Sequence, residues 1–64
     1  MKFTIDIDCG NAAFGEDDYQ RGEELARILK QVARQLEDGY VRGFCYDANG
    51  NTVGTYKTFE EDLQ

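Results

Sequence analysis

A single stretch, Asp17 to Gly39, is long enough to make a stable helix, and this limits what the chain can fold into. Leu25, Ile28, Leu29, Val32 and Leu36 recur at intervals of three and four, with Ala26 and Ala33 beside them, so one helix face is apolar. The segments on either side are short and must be what that face packs against. Asp17 or Asp18 can cap the free N–H groups at the helix start, and Gly39 is placed to end the helix in a left-handed conformation. Glu23 and Glu24 come early while Arg27, Lys30 and Arg34 come late, the order that suits the helix dipole. Glu23 and Arg27 also have the acid-first, four-residue spacing of a helical ion pair. The bases therefore need no role beyond helix stability.

Before the helix, Lys2 to Asp8 alternates cleanly. Phe3, Ile5 and Ile7 share one face and Thr4, Asp6 and Asp8 the other, the pattern of a half-buried strand. Cys9 continues the inward parity, and Gly10-Asn11 breaks the strand. A connector over 11–16 follows, with Phe14 expected under the start of the helix. After the helix, Val41–Tyr46 and Thr52–Thr58 read as strands joined by Asp47-Ala48-Asn49-Gly50-Asn51. A three-residue loop with Gly50 in the left-handed region and a two-residue Asn49-Gly50 turn are both compatible with that segment. The three-residue loop sends Val41, Cys45, Val53 and Phe59 beneath the helix with Phe3, Ile5 and Ile7. It leaves Tyr40, Phe44, Tyr46 and Tyr56 on a sheet face that no second helix covers. Such a face is either a contact surface or a set of rings that cover one another.

These readings give an α+β domain over residues 1–64: a strand at 2–9, a helix at 17–38, a hairpin at 41–58 and a short acidic tail at 60–64. One helix lies on a three-stranded sheet in the chain order strand, helix, strand, strand. A fully antiparallel sheet, with the first strand beside the last, is expected; a right-handed parallel crossover from the first strand to the second is the alternative.

At 64 residues the chain is near the lower limit for a domain without disulfides or metal. Thirteen acids against seven bases give a net charge of −6. Direct nucleic-acid binding is disfavoured, because Lys and Arg supply most of that affinity. A basic protein surface, or the nucleic-acid channel of another protein, is the more natural partner; solubility alone is the plainer explanation of the charge. The start of the chain has no signal-peptide pattern and no apolar run reaches membrane-spanning length, so the expectation is a cytoplasmic protein without membrane contact, a monomer or weak homodimer. Cys9 and Cys45 are then expected as reduced thiols.

Catalysis has little support. The chain has no His, no Ser and no Trp, which excludes Ser–His and Cys–His nucleophiles. Two cysteines without a histidine make a poor zinc site. Asp6-x-Asp8 departs from a calcium loop, with Gly10 where the third ligand belongs and Asn11 in place of the glycine. No enzyme, cofactor or metal site is expected. Charge geometry remains: Asp6, Asp8, Glu16, Asp17, Asp18, Glu23 and Glu24 form the candidate partner-binding set, and Tyr40, Phe44, Tyr46 and Tyr56 a candidate aromatic interface. Carboxylates spread over a surface at phosphate-like separations can meet the Lys and Arg of a nucleic-acid site.

Several stretches resemble short open reading frames of bacteriophages. These are the opening Phe3-Thr4-Ile5-Asp6-Ile7-Asp8-Cys9-Gly10-Asn11-Ala12-Ala13-Phe14, then Leu25-Ala26-Arg27-Ile28-Leu29, the helix end Leu36-Glu37-Asp38-Gly39, and the hairpin Asp47-Ala48-Asn49-Gly50-Asn51-Thr52-Val53-Gly54. In size, acidity and element order the chain is also similar to small anti-CRISPR proteins. That resemblance implies a non-enzymatic inhibitor in a bacterial host. It would bind a Cas protein or CRISPR effector complex and block DNA access by mimicking DNA. The class shares almost no sequence motif, so the acidic residues are assigned from charge alone.

Overall fold

The computed structural model describes residues 1–61, and they form an α+β fold of one helix and a three-stranded antiparallel sheet. The strands are β1 (Lys2–Ile7), β2 (Arg42–Tyr46) and β3 (Thr52–Phe59), and the helix α1 (Asp18–Glu37) lies between β1 and β2 in sequence. β3 is the central strand, flanked antiparallel by β1 and β2. This is the fully antiparallel arrangement, not the parallel crossover. Positions 62–64 of the expected acidic tail lie outside the described residues.

The helix is bounded by the residues that its capping chemistry requires. Asp17 is the N-cap; its carboxylate accepts from the Gln20 N–H at 2.8 Å, and the Gln20 side chain accepts in return from the Glu16 N–H at 2.8 Å. At the far end Gly39 sits at φ 98°. The Gly39 N–H donates to the Leu36 carbonyl and the Tyr40 N–H to the Gln35 carbonyl, a Schellman closure. Between them the buried stripe is narrower than the sequence pattern. Ile28 and Val32 are buried and Leu25 is half-buried, but Leu29 and Leu36 remain 47% and 37% exposed on one flank.

The hairpin uses the three-residue loop. The Gly50 N–H donates to the Asp47 carbonyl, the Asp47 N–H to the Asn51 carbonyl, and Gly50 adopts φ 84°. A second irregularity then changes the faces. Tyr46 pairs with Thr52 but Cys45 pairs with Gly54, so Val53 is an extra residue in β3. From there each residue of β3 stands one place away from its bulge-free partner, and Tyr56 lies opposite Gly43 rather than Arg42. Tyr56 therefore points beneath the helix, 1% exposed, in a core with Phe14, Ile28, Val32 and Cys45. This corrects its expected place on the open face. Phe59 is corrected in the opposite sense: it shares the outer face with Lys57, whose ammonium lies 5.0 Å from the ring centre. Val41, expected inside, is exposed just before β2. Val53 packs against the core as expected, and so do Ile5, Ile7 and Cys9.

Glycine is what makes room for the Tyr56 ring. A Cβ on Gly43 would stand 2.7 Å from the Tyr56 hydroxyl and 2.9 Å from its ring, and one on Gly54 would strike the backbone of Asp6. The Tyr56 hydroxyl donates to the Gln35 side-chain oxygen, which fastens β3 to α1. Replacing Gly43 by alanine should therefore displace a core ring and cost about 1–3 kcal/mol. In a domain of this size each kcal/mol lowers the melting midpoint by about 4–8 °C. Thermal denaturation followed by circular dichroism measures this, and an unchanged midpoint would contradict the packing described.

Candidate functional site

Two side chains tie the β2–β3 loop to the segments before it, one from the connector after β1 and one from the second turn of α1. The Asn11 side-chain N–H donates to the Asp47 carboxylate at 2.8 Å. Glu24 accepts from the Ala48 N–H at 2.8 Å. Asp8, Glu16, Asp17, Asp18 and Glu23 are all exposed, as is Asp6 on β1. Their local partners are few. Asp8 accepts from the Gly10 N–H at 3.0 Å, Asp18 meets Arg21 at 2.5 Å, and Asp17 is the helix cap. These are exposed contacts, which leave most of each carboxylate available to a partner.

Glu24 belongs to the interior, not to that surface. It is 8% exposed and accepts two hydrogen bonds from the Arg27 guanidinium, both at 2.8 Å, in addition to the one from Ala48. Arg27 donates further to the Tyr46 carbonyl at 3.0 Å. The sequence suggests Glu23 as the partner of Arg27; the structure pairs Arg27 with Glu24, three residues away, because Glu24 faces the hairpin and Glu23 faces solvent. The Arg27 hydrogen bonds hold the Glu24 carboxyl below its ordinary pKa against the opposing effect of burial, with the Ala48 N–H adding to the lowering. Asp47 is likewise buried. Burial raises its pKa, but hydrogen bonds from Asn51, Asn11 and Asn49 outweigh that and hold it low. This network was missed by sequence reasoning; its one legible signal was an acid at the turn start with asparagines two and four residues on.

The aromatic set is divided. Tyr40, Phe44 and Tyr46 are exposed, Phe44 at 56%, while Tyr56 is buried. Phe44 borders a shallow hollow of about 230 Å³ with Arg42, Thr55 and Lys57. Arg42 and Lys57 are direct cross-strand neighbours, so this part of the outer face is cationic as well as aromatic. A larger open groove of about 710 Å³ runs between α1 and the hairpin, where the helical bases Arg27, Lys30 and Arg34 lie. Charge is thus divided between the exposed acids from Asp8 to Glu23 and two basic regions. Both cysteines are free; Cys45 is buried, and burial raises its thiol pKa. Among the described residues no cluster of three or more His, Cys, Asp or Glu is placed to hold a metal ion, and no helix is long and apolar enough to cross a membrane.

Comparison with protein-family models, with curated proteins and with solved structures returned no match.

The lowered Glu24 and Asp47 carboxyls set a pH dependence. A carboxyl whose pKa is depressed by folding contributes stability above its unfolded value and loses it as pH falls through the folded value. The unfolded values are close to 4.5 for Glu24 and 3.8 for Asp47, so the loss begins in that range and deepens on further acidification. Glu24→Gln, which removes a charge-assisted pair, should cost about 1.5–3 kcal/mol at neutral pH. The gap between parent and variant should narrow below pH 4.5 in urea-unfolding series. A gap that stays constant down to pH 3 would contradict a folded Glu24 carboxylate.

Proposed function

We propose that this protein is a non-enzymatic inhibitor of the anti-CRISPR kind that its sequence resembles. It binds a Cas effector in a bacterial host cell and blocks DNA access with an acidic surface. The observation that supports this is that Asp8, Glu16, Asp17, Asp18 and Glu23, from just after β1 to the second turn of α1, are all exposed. Exposed carboxylates in such a run can present to a basic channel what a short run of phosphates presents. Asp6 extends the set along the sheet, whereas Glu24 is engaged inside the protein and is left out of it.

Charge reversal tests this reading. The triple variant Glu16→Lys, Asp18→Lys, Glu23→Lys leaves the Asp17 cap untouched and should remain folded. Expressed in hosts carrying different active CRISPR systems, the parent should restore plaques of a targeted phage in at least one system. The triple variant should lose most of that rescue, and binding of the purified parent to the effector should weaken steeply with added salt. Rescue by the triple variant equal to the parent's, or no rescue by the parent in any system, would refute the proposal.

A second reading draws on the exposure of Tyr40, Phe44 and Tyr46: an adaptor, or a homodimer, that makes contact through the aromatic sheet face. Phe44→Ser with Tyr46→Ser separates the two. Under the acidic-surface reading this variant keeps plaque rescue; under the second reading it loses partner binding.

A further inference from the structure

We infer that the protein associates with a second copy of itself by antiparallel pairing of the two β1 edges, about a two-fold axis at Thr4. This edge lies opposite β2 in the sheet and shares only Asp6 with the acidic set, and the inference stands independently of the proposed function.

β1 is an edge strand, and its hydrogen-bonding parity is fixed by the ladder. The Asp8 N–H donates to the Val53 carbonyl at 2.8 Å. With the register of β1 against β3, this makes Asp6, Thr4 and Lys2 the hydrogen-bonded partners of Thr55, Lys57 and Phe59. The N–H and C=O groups of Phe3, Ile5 and Ile7 therefore point to the free edge. Among the described residues no proline, bulge or inward-pointing charge interrupts Lys2–Ile7; the charges on the strand, Lys2 and Asp6, both stand on its outer face.

The strand is complementary to itself about Thr4. A dyad at Thr4 pairs Phe3 with Ile5 of the second copy, and these are residues whose backbone groups face the free edge, so the hydrogen-bond parity is met. On the outer face it sets Lys2 opposite Asp6 of the second copy, twice by symmetry, and Thr4 opposite Thr4. On the inner face it sets Phe3 opposite Ile5, also twice. Opposite charges, Thr–Thr pairs and aromatic–β-branched pairs are each favourable cross-strand neighbours. Moving the dyad to Ile5 satisfies the same parity and sets Lys2 opposite Asp8, just past the strand end, but it makes the two Asp6 carboxylates diagonal neighbours. The Thr4 dyad keeps both charge pairs within Lys2–Ile7 and avoids that repulsion. In the single chain Lys2 rests on Glu61 at 3.0 Å, with both side chains exposed, a contact that is weak enough to exchange.

Apolar surface beside the seam agrees with this occupant. Phe3 is 44% exposed although it points inward, and Leu29 and Leu36 are exposed on α1. The opposite flank of the helix, with Glu24, Arg27 and Gln35, is the one that contacts the hairpin and Tyr56. Leu29 and Leu36 thus lie on the flank away from the hairpin. A dyad at Thr4 joins the two sheets into one of six strands.

Sedimentation equilibrium from micromolar to millimolar concentration tests this, with circular dichroism to confirm folding of each variant. The parent should shift from the 7.3 kDa chain mass to twice that mass as concentration rises. Lys2→Glu and Asp6→Lys each place like charges opposite one another and should raise the dimer dissociation constant at least tenfold. The exchanged double variant carries both substitutions in every chain, recreates two opposite-charge pairs across the dyad and should recover most of that loss. A parent that stays at chain mass throughout, a dimer insensitive to the single reversals, or a double variant no better than the singles would each overturn the inference.

Discussion

The placement of the Tyr56 ring under the helix is the contact on which the rest of this structure depends. A domain this small has few large side chains to bury, and Tyr56 and Phe14 are the two largest in its core. Tyr56 reaches the core only because β3 carries one extra residue at Val53, and it fits only because Gly43 lies opposite. Its hydroxyl is satisfied by Gln35, so burial of the ring does not strand a polar group. The same half-turn of β3 that brings Tyr56 in sends Lys57 and Phe59 out, and it thereby gives the outer face its cationic character.

A polar network at the hairpin complements this apolar contact. Asp47 gathers the backbone and side chains of the loop, Asn11 brings in the connector, and Glu24 with Arg27 binds the loop to the helix. Each buried carboxylate has several donors, which is what makes a buried charge tolerable in so small a domain. The network thereby ties the connector and α1 to the hairpin loop.

Much of this was legible in the sequence because it depends on local chemistry. The helix, its Gly39 closure and the alternation of β1 follow from neighbouring residues. The choice of Asp17 over Asp18 as cap, of the three-residue over the two-residue loop, and of β1 beside β3 rather than in a parallel crossover is made by the structure. The face of Tyr56 was not legible. A bulge at Val53 leaves no composition signal, and a single inserted residue reverses every side chain beyond it. The partner of Arg27 was hidden for a similar reason: Glu23 and Glu24 have nearly equivalent spacing, and only the position of the hairpin decides between them. For the candidate site, the exposed acids Asp8, Glu16, Asp18 and Glu23 could be named from sequence, whereas the burial of Glu24 could not.

The central structural claim is that the bulge turns Tyr56 inward over Gly43, and the most direct measurement is a nuclear Overhauser spectrum of isotope-labelled protein. The account predicts cross-peaks from the Tyr56 ring protons to the Gly43 α-protons and to the ring of Phe3, whose centre lies 6.2 Å away. Cross-peaks from the Tyr56 ring to the side chains of Arg42 and Phe44 instead would mean a bulge-free register, with Tyr56 on the open face, and would contradict it.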